Sequence, residues 1–161
     1  MKLTSLQDAL LAEIKDLYSA EQQLAEALPK MAKKATSAQL QAGFETHLAE
    51  TKQQITRLEQ VFEALGETPK AETCKAMKGL VAEGEEIMGE DADPEVMDAL
   101  LIAAAQKIEH YEIATYGTVC TWAEQLGLTD AKELLGQTLN EEETTDKKLS
   151  ALSKSINKKA E

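Results

Sequence analysis

The sequence predicts an all-α protein built from four long helices. Only 4% of the 161 residues are aromatic, and long runs rich in Ala, Leu, Glu, Lys and Gln favour helices over strands. Apolar residues recur at alternating steps of four and three, which is the spacing of one buried helical face. The length fits one domain spanning residues 1–161, with a core large enough to be stable without cross-links.

The composition argues against several classes of partner. A formal net charge of −12 disfavours binding to a nucleic-acid backbone and favours the attraction of cations. No uncharged stretch approaches the roughly 18 residues of a membrane span, and the first residues lack the apolar run of a secretory signal. Cys74 and Cys120 lie far apart in helical patterns, where cysteine behaves as a small apolar residue. We therefore expect a soluble protein of the reducing cytoplasm.

The first long helix is predicted by a cap and an apolar stripe. Thr4 and Gln7 have the spacing of a capping box, and the stripe that follows runs to residue 31. Glu21 occupies a position on this stripe that normally holds an apolar residue. Pro29 should kink or break the helix one turn before its end.

The second long helix follows a cap at residues 36–37 and stops at Gly66, because glycine suits a left-handed C-terminal position. Its inward stripe contains His47 and Gln54. Glu50 lies at the edge of the stripe, so its inward orientation is less well defined than that of the other two.

The connection to the third long helix indicates how the helices are arranged. The helical pattern weakens over residues 67–93, where a short helix at 71–88 fits, and Asp93 with Pro94 then starts a helix that ends at Gly127. This third helix is roughly 45 Å long, and the connection can cover that length. A crossover returning to the other end gives a ferritin-like four-helix bundle, whereas an up-down bundle needs only a short loop.

The third and fourth long helices contribute further inward carboxylates. Glu109 and Glu112 are three residues apart and therefore neighbours on one helical face. Asp130 with Glu133 should cap the fourth helix. A lone buried carboxylate is costly, so Glu112 must be hydrated, paired or bound to a cation.

Four carboxylates fall at one height of the predicted bundle. Counted from the turns, Glu21 faces Glu50 in the first hairpin, and Glu112 faces Glu142 in the second. A pair of divalent cations would remove the cost of burying these charges, and an oxygen-rich ligand set suits iron or manganese better than copper or zinc. We predict a dinuclear iron or manganese site with the ligands Glu21, His47, Glu50, Gln54, Glu109, Glu112, Glu142 and Asp146.

Five segments carry a resemblance to a known family, namely YSAEQQLAEALPKMA, HLAETKQQITRLEQVFE, CKAMKGLV, AAAQKIEHYEIATYGT and LNEEETTDKKL. On these the chain resembles the bacterial YciE/YciF stress-protein family of the ferritin-like superfamily over essentially its whole length. The resemblance implies a homodimeric ferritin-like protein with a dinuclear metal site. The chain is also similar, more distantly, to rubrerythrins, whose Glu-x-x-Glu motif Glu109 and Glu112 match.

The sequence departs from the rubrerythrin pattern where histidines are usual. Gln53 stands three residues after Glu50, and Thr145 stands three residues after Glu142. His47, three residues before Glu50, is either a nitrogen ligand from the opposite direction or a core histidine hydrogen-bonded within the bundle. His110 points away from the face of the proposed site.

Three functions are open on the sequence alone. In the first, iron or manganese ions react with O₂ or peroxide, giving an oxidase, a peroxidase or a catalase-like enzyme. The chain has no rubredoxin-like cysteine pattern, so electrons would come from an external donor. In the second, the chain is a non-enzymatic stress or interaction protein whose carboxylate layer is vestigial. Iron storage in a hollow shell is a third reading, and it requires assembly well beyond a dimer.

Overall fold

The computed structural model describes residues 3–161 and is all-helical over that range, as predicted. Five α-helices are formed within it, and no strand occurs between residues 3 and 161. The helices are α1 (Leu6–Lys34), α2 (Ala38–Ala64), α3 (Lys75–Gly89), α4 (Pro94–Gln125) and α5 (Thr129–Lys159). None of the helices in this part of the chain combines the length and the apolar character needed to cross a membrane.

The four long helices contact one another in a closed ring. Helix α1 packs against α2 and α4, and α5 packs against the same two helices. The short helix α3, within the connection between α2 and α4, packs on the outer side of α1 and α4. Because each long helix has two neighbours, each can direct one apolar stripe into a shared interior.

The interior consists of two apolar clusters. One contains Leu10, Leu17, Leu58 and Val119, and the other contains Leu24, Leu28, Phe44, Leu101 and Leu149. Along every long helix, the stripe passes from one cluster to the other through buried polar residues. In α1, for example, Glu21 lies between Leu17 and Leu24. A polar layer therefore separates the two halves of the core.

The first helix is capped one residue later than predicted. Ser5 Oγ accepts a hydrogen bond from the Asp8 N–H at 3.1 Å, and the Asp8 carboxylate accepts from the Ser5 N–H at 3.0 Å. The predicted pairing of Thr4 with Gln7 is therefore wrong. A carboxylate in the first turn has the additional advantage of facing the positive end of the helix dipole.

Other predicted helix boundaries also change. Helix α1 continues through Pro29 to Lys34 without a break, and α3 begins at Lys75, after an N-cap at Cys74. Helix α5 begins at Thr129 with no side-chain cap, so the predicted Asp130 and Glu133 cap is wrong. The two helix ends assigned to glycine are confirmed, since the glycines at 66 and 127 both have φ of +71°.

Candidate metal centre

The polar layer is formed by six side chains that are at most 3% exposed. Helix α1 supplies one of them, α2 supplies two, α4 supplies two and α5 supplies one. They are Glu21, His47, Gln54, Glu109, Glu112 and Glu142. Each lies on the four-three stripe of its helix, which is why each faces the interior of the helix packing.

Four of these side chains form one close group. His47, Glu109, Glu112 and Glu142 each offer a potential ligand atom, and these atoms lie within 4.8 Å of one another. The Nε2 atom of His47 is 3.2 Å from Glu109 Oε1 and 3.9 Å from Glu142 Oε2. This buried His/Glu cluster could hold a metal ion, because one imidazole and three carboxylates supply the ligand types that transition metals bind.

Many polar atoms of the layer have no hydrogen-bond partner among the described residues. Both carboxylate oxygens of Glu112 are unpartnered, and so is one oxygen each of Glu21, Glu109 and Glu142. Buried carboxylates without partners are strongly unfavourable in a protein interior. A bound cation would supply the missing interactions, so the residues present fit a metal ion.

Burial raises the pKa of Glu112 and Glu142 well above the ordinary range, and the neighbouring carboxylates add to the effect. Burial likewise raises the pKa of Glu21 to about 7. For His47, burial lowers the pKa, but the adjacent carboxylates, above all Glu109, raise it to a value well above normal. Without a cation, the layer is therefore neutralised by protons, and a metal ion would displace them.

Glu21 is held by a buried tyrosine. The Tyr116 hydroxyl donates to Glu21 Oε1 at 2.5 Å, and the other oxygen of Glu21 has no partner among residues 3–161. Burial, and next the charge of Glu21, raise the pKa of Tyr116, which keeps the hydroxyl protonated as a donor. Glu21 thus presents one free oxygen beside the four-residue group.

Gln54 links the layer to a charged pair that sequence reasoning missed. Its Nε2 atom donates to Glu142 and, at 3.0 Å, to Glu141. Arg57 forms two hydrogen bonds of 2.6 Å to the Glu141 carboxylate, with one nitrogen on each oxygen. The amide of Gln54 therefore orients Glu142, and Arg57 fixes the orientation of Glu141. Arg57 is the only arginine in the sequence, and this feature could have indicated a specific role for it.

Glu21 and Gln54 lie in the buried layer but outside the close group, and the remaining two predicted ligands, Glu50 and Asp146, lie outside the layer as well. The Glu50 side chain is 27% exposed and its Oε2 atom is 3.9 Å from His47 Nδ1, which is too far for a hydrogen bond. Asp146 accepts a hydrogen bond from Gln106 at 3.0 Å and lies 3.4 Å from the exposed His110 ring. Both carboxylates are partly solvated at the margin of the layer.

Another polar network missed by sequence reasoning joins three helices on the α3 side. The Tyr111 hydroxyl donates to Asp16 Oδ2 at 2.6 Å and lies 3.1 Å from Cys74 Sγ. Cys74 also accepts from the Met77 N–H, as the N-cap of α3. These bonds attach the connecting helix to α1 and α4.

The fold and the cluster define an all-helical protein with a buried carboxylate and histidine centre. The family model described as "Domain of unknown function (DUF892)" matches residues 5–161, so the chain belongs to that family. It is 47% identical to Protein YciF of Escherichia coli K12 over 163 residues, covering 100% of this chain and 98% of that protein. The predicted family resemblance is thereby confirmed.

Solved structures show the same similarity. The crystal structure of the E. coli stress protein YciF matches with a TM-score of 0.94 and 45% identity, covering 98% of this chain and 99% of that one. YcfI from Rhodopseudomonas palustris matches with a TM-score of 0.91 and 47% identity, covering 92% and 95%. A protein from Xanthomonas campestris, at 19% identity and a TM-score of 0.77 over 94% and 93%, shows the fold alone.

Proposed function

We propose that this chain is a ferritin-like stress-response protein that binds two iron or manganese ions between its four long helices and reacts with O₂ or peroxide. The observation that carries the proposal is the buried layer of carboxylates with unpartnered oxygens. Four helices contribute to that layer. The E. coli protein YciF is called a stress protein, and the similarity of this chain to it supports the proposed role in a stress response.

The ferritin-like assignment is supported by the helix contacts and by the chain connection. The four long helices contact one another in a ring, and residues 65–93 connect α2 to α4 with α3 packed outside. Such a long connection between the second and third helices of a bundle is typical of ferritin-like proteins. We propose one such domain over the whole chain, assembled as a homodimer.

Within the proposed centre, the residues divide into ligands and groups that hold ligands. His47, Glu109, Glu112 and Glu142 are the principal ligands, and Glu21 provides a further oxygen. Gln54 lies within the layer beside Glu142, whereas Glu50 and Asp146 lie at its margin, where they complete its surroundings. Bound iron or manganese supplies redox chemistry because these metals change oxidation state in carboxylate-rich sites.

The protein residues have three tasks in this proposal. The carboxylates neutralise the cations and release protons as the ions bind. Tyr116 holds Glu21 through its hydroxyl, and Gln54 holds Glu142 through its amide. The two apolar clusters on either side restrict access of water, which strengthens electrostatic interactions inside the layer. Electrons come from an external donor.

Metal analysis tests the proposal directly. Protein purified without chelator is analysed for iron and manganese, and metal-free protein is titrated anaerobically with Fe(II) or Mn(II). We expect about two ions per chain. Glu142→Gln should reduce uptake, whereas Glu133→Gln, a matched exposed change on the same helix, should not. Metal contents below about one ion per ten chains, with no uptake on titration, would refute the metal site.

Reactivity is tested separately from binding. Fe(II)-loaded protein is mixed with O₂ or with peroxide in a stopped-flow spectrometer, and the rate of iron oxidation is compared with that of Fe(II) in buffer. We expect faster oxidation in the protein than in Glu142→Gln. Metal binding without any acceleration would favour the non-enzymatic stress or interaction protein. Light scattering should give a mass near a dimer, and a many-subunit mass would point to a storage shell.

A further inference from the structure

Arg57 and Glu141 form a charged pair beside the polar layer, between α2 and α5. The guanidinium donates two hydrogen bonds of 2.6 Å, one to each oxygen of Glu141, and a third of 3.3 Å to Thr138 Oγ1. The two charged side chains are 16% and 23% exposed, so water competes only partly with these bonds. Because a planar guanidinium bound to both oxygens of a carboxylate fixes its orientation, Glu141 has one defined position.

The fixed carboxylate determines which end of the Gln54 amide faces the centre. Glu141 Oε2 accepts a hydrogen bond from Gln54 Nε2 at 3.0 Å, and Glu142 Oε1 accepts one from the same nitrogen. Both N–H groups of the amide are therefore used, while its Oε1 atom has no partner among the described residues. A reversed amide would turn its oxygen towards two carboxylates and lose both hydrogen bonds. With Glu141 held in place, two acceptors keep the amide in the donating orientation.

This orientation of the amide leaves one oxygen of Glu142 for a cation. Gln54 occupies Oε1 of Glu142, whereas Oε2 has no hydrogen-bond partner within residues 3–161 and lies 3.9 Å from His47 Nε2. The oxygen close to His47 is therefore the unpartnered one. Glu141 is held by Arg57 and does not join the group of potential ligands.

We propose that Arg57 is a positioning residue of the metal centre. Acting through Glu141, it fixes the amide of Gln54. The fixed amide holds Glu142 so that this carboxylate would bind a cation through Oε2 alone. The role at the metal rests on the proposed function, whereas the orientation of the amide is a property of the metal-free protein.

The sign of one effect separates positioning from simple electrostatics. Arg57 is a cation near a cation site, so neutralising it should by charge alone tighten metal binding, and the released Glu141 carboxylate would add to the attraction. Positioning predicts the opposite. We expect Arg57→Gln to weaken Mn(II) binding, measured by titration calorimetry, by about tenfold. Lys52→Gln removes an exposed cation from the same helix and should change the affinity by less than about twofold.

Two further variants test whether Arg57 acts through Gln54. Arg57→Lys keeps the charge but cannot bind both oxygens of Glu141 in the same way, so we expect a smaller loss of affinity than in Arg57→Gln, whereas charge alone predicts none. In a Gln54→Leu background, Arg57→Gln should no longer weaken binding, because the group that transmits its effect is absent. The same weakening in both backgrounds would overturn the inference. Circular dichroism with chelator verifies the fold, and Arg57→Lys provides the test should Arg57→Gln not fold.

Nuclear magnetic resonance of the Gln54 side chain gives a readout that needs no metal. In the metal-free wild type, both amide protons should exchange slowly with water, because the side chain is buried and donates twice. In Arg57→Gln they should exchange at least about tenfold faster. Unchanged exchange, or Mn(II) binding that is unchanged or tighter in this variant, would overturn the positioning role while the wild type still took up metal. If the wild type takes up no metal, the proposed function is refuted and the positioning role falls with it.

Discussion

The metal-free protein should become less stable as the pH rises from 5 to 8, because its buried carboxyl groups must then lose protons. Burial raises the pKa of Glu21 from its ordinary value of 4.5 to about 7. Between these values, the folded state binds more protons than the unfolded state. The stability that the protonated Glu21 contributes is therefore complete below about pH 4.5, and it is lost as the pH rises through 7.

The magnitude follows from the difference between the two pKa values. Protonated Glu21 contributes about 3 kcal/mol to the free energy of unfolding when the pH is well below both pKa values. Roughly 2.5 kcal/mol of this contribution is lost between pH 5 and pH 8. In a protein of this size, that corresponds to a decrease in Tm of roughly 5–10 °C. His47 acts in the same direction, since Glu109 and other carboxylates raise its pKa and its stabilising charge is lost at higher pH.

The assay is urea unfolding followed by circular dichroism, on chelator-treated protein at several pH values. Net negative charge also increases with pH, so the informative quantity is the difference between the wild type and Glu21→Gln. Glutamine does not ionise, and its amide oxygen still accepts the hydrogen bond from Tyr116. The wild type should lose about 2.5 kcal/mol more stability than the variant between pH 5 and pH 8.

Saturating Mn(II) should change the sign of the wild-type slope, because metal ions compete with protons and bind more tightly as the pH rises. Stability of the metal-free wild type that stays constant or rises over this pH range would contradict the reasoning. A Glu21→Gln variant with the same pH dependence as the wild type would show that Glu21 is not the group responsible.

Three substitutions give further predictions. Glu112→Leu should raise the free energy of unfolding of the metal-free protein by about 1–4 kcal/mol, because an unpartnered buried carboxyl is replaced by an apolar group. Calorimetry in the presence of chelator measures this change, and a decrease in the free energy of unfolding would contradict the prediction. Gln54→Leu removes the amide that orients Glu142 and should weaken metal binding by about 10–100-fold; an unchanged affinity by titration calorimetry would exclude that role. Tyr116→Phe removes a hydrogen bond that lowers the pKa of Glu21, so carboxyl NMR titration of metal-free protein should show a higher pKa than in the wild type.

The helices and the composition of the polar layer could be predicted because both depend on periodicity. A carboxylate on a four-three stripe, such as Glu21 or Glu112, faces the interior whenever that stripe is buried, whatever the details of packing. The boundaries were harder to predict, because competing caps lie within one residue of each other. Thr4 and Ser5 both suit an N-cap, and the Asp8 carboxylate accepts from the N–H of each. Ser5 is the cap because its Oγ accepts from the Asp8 N–H.

The margin of the layer could not be predicted from the stripes. Asp146 follows Glu142 at a helical step of four, yet it accepts from Gln106 and lies beside the exposed ring of His110. These partners lie on a neighbouring helix. Whether Asp146 meets them depends on the rotation of α5 about its axis, and the sequence pattern defines that rotation only to within part of a turn. Arg57 and Glu141 were missed for the same reason, since their pairing joins α2 to α5.

The position of the polar layer means that metal binding would affect the stability of the fold as well as its chemistry. The layer separates two apolar clusters, so each half of the core is packed continuously and the uncompensated polar groups are concentrated between them. An ion bound there would contact groups from several helices at once and would stabilise only the folded arrangement. Its effect on unfolding is therefore set by its concentration relative to its dissociation constant. A chain with an apolar layer would be more stable in the absence of metal, so retaining buried acids at this level costs stability unless a cation is bound.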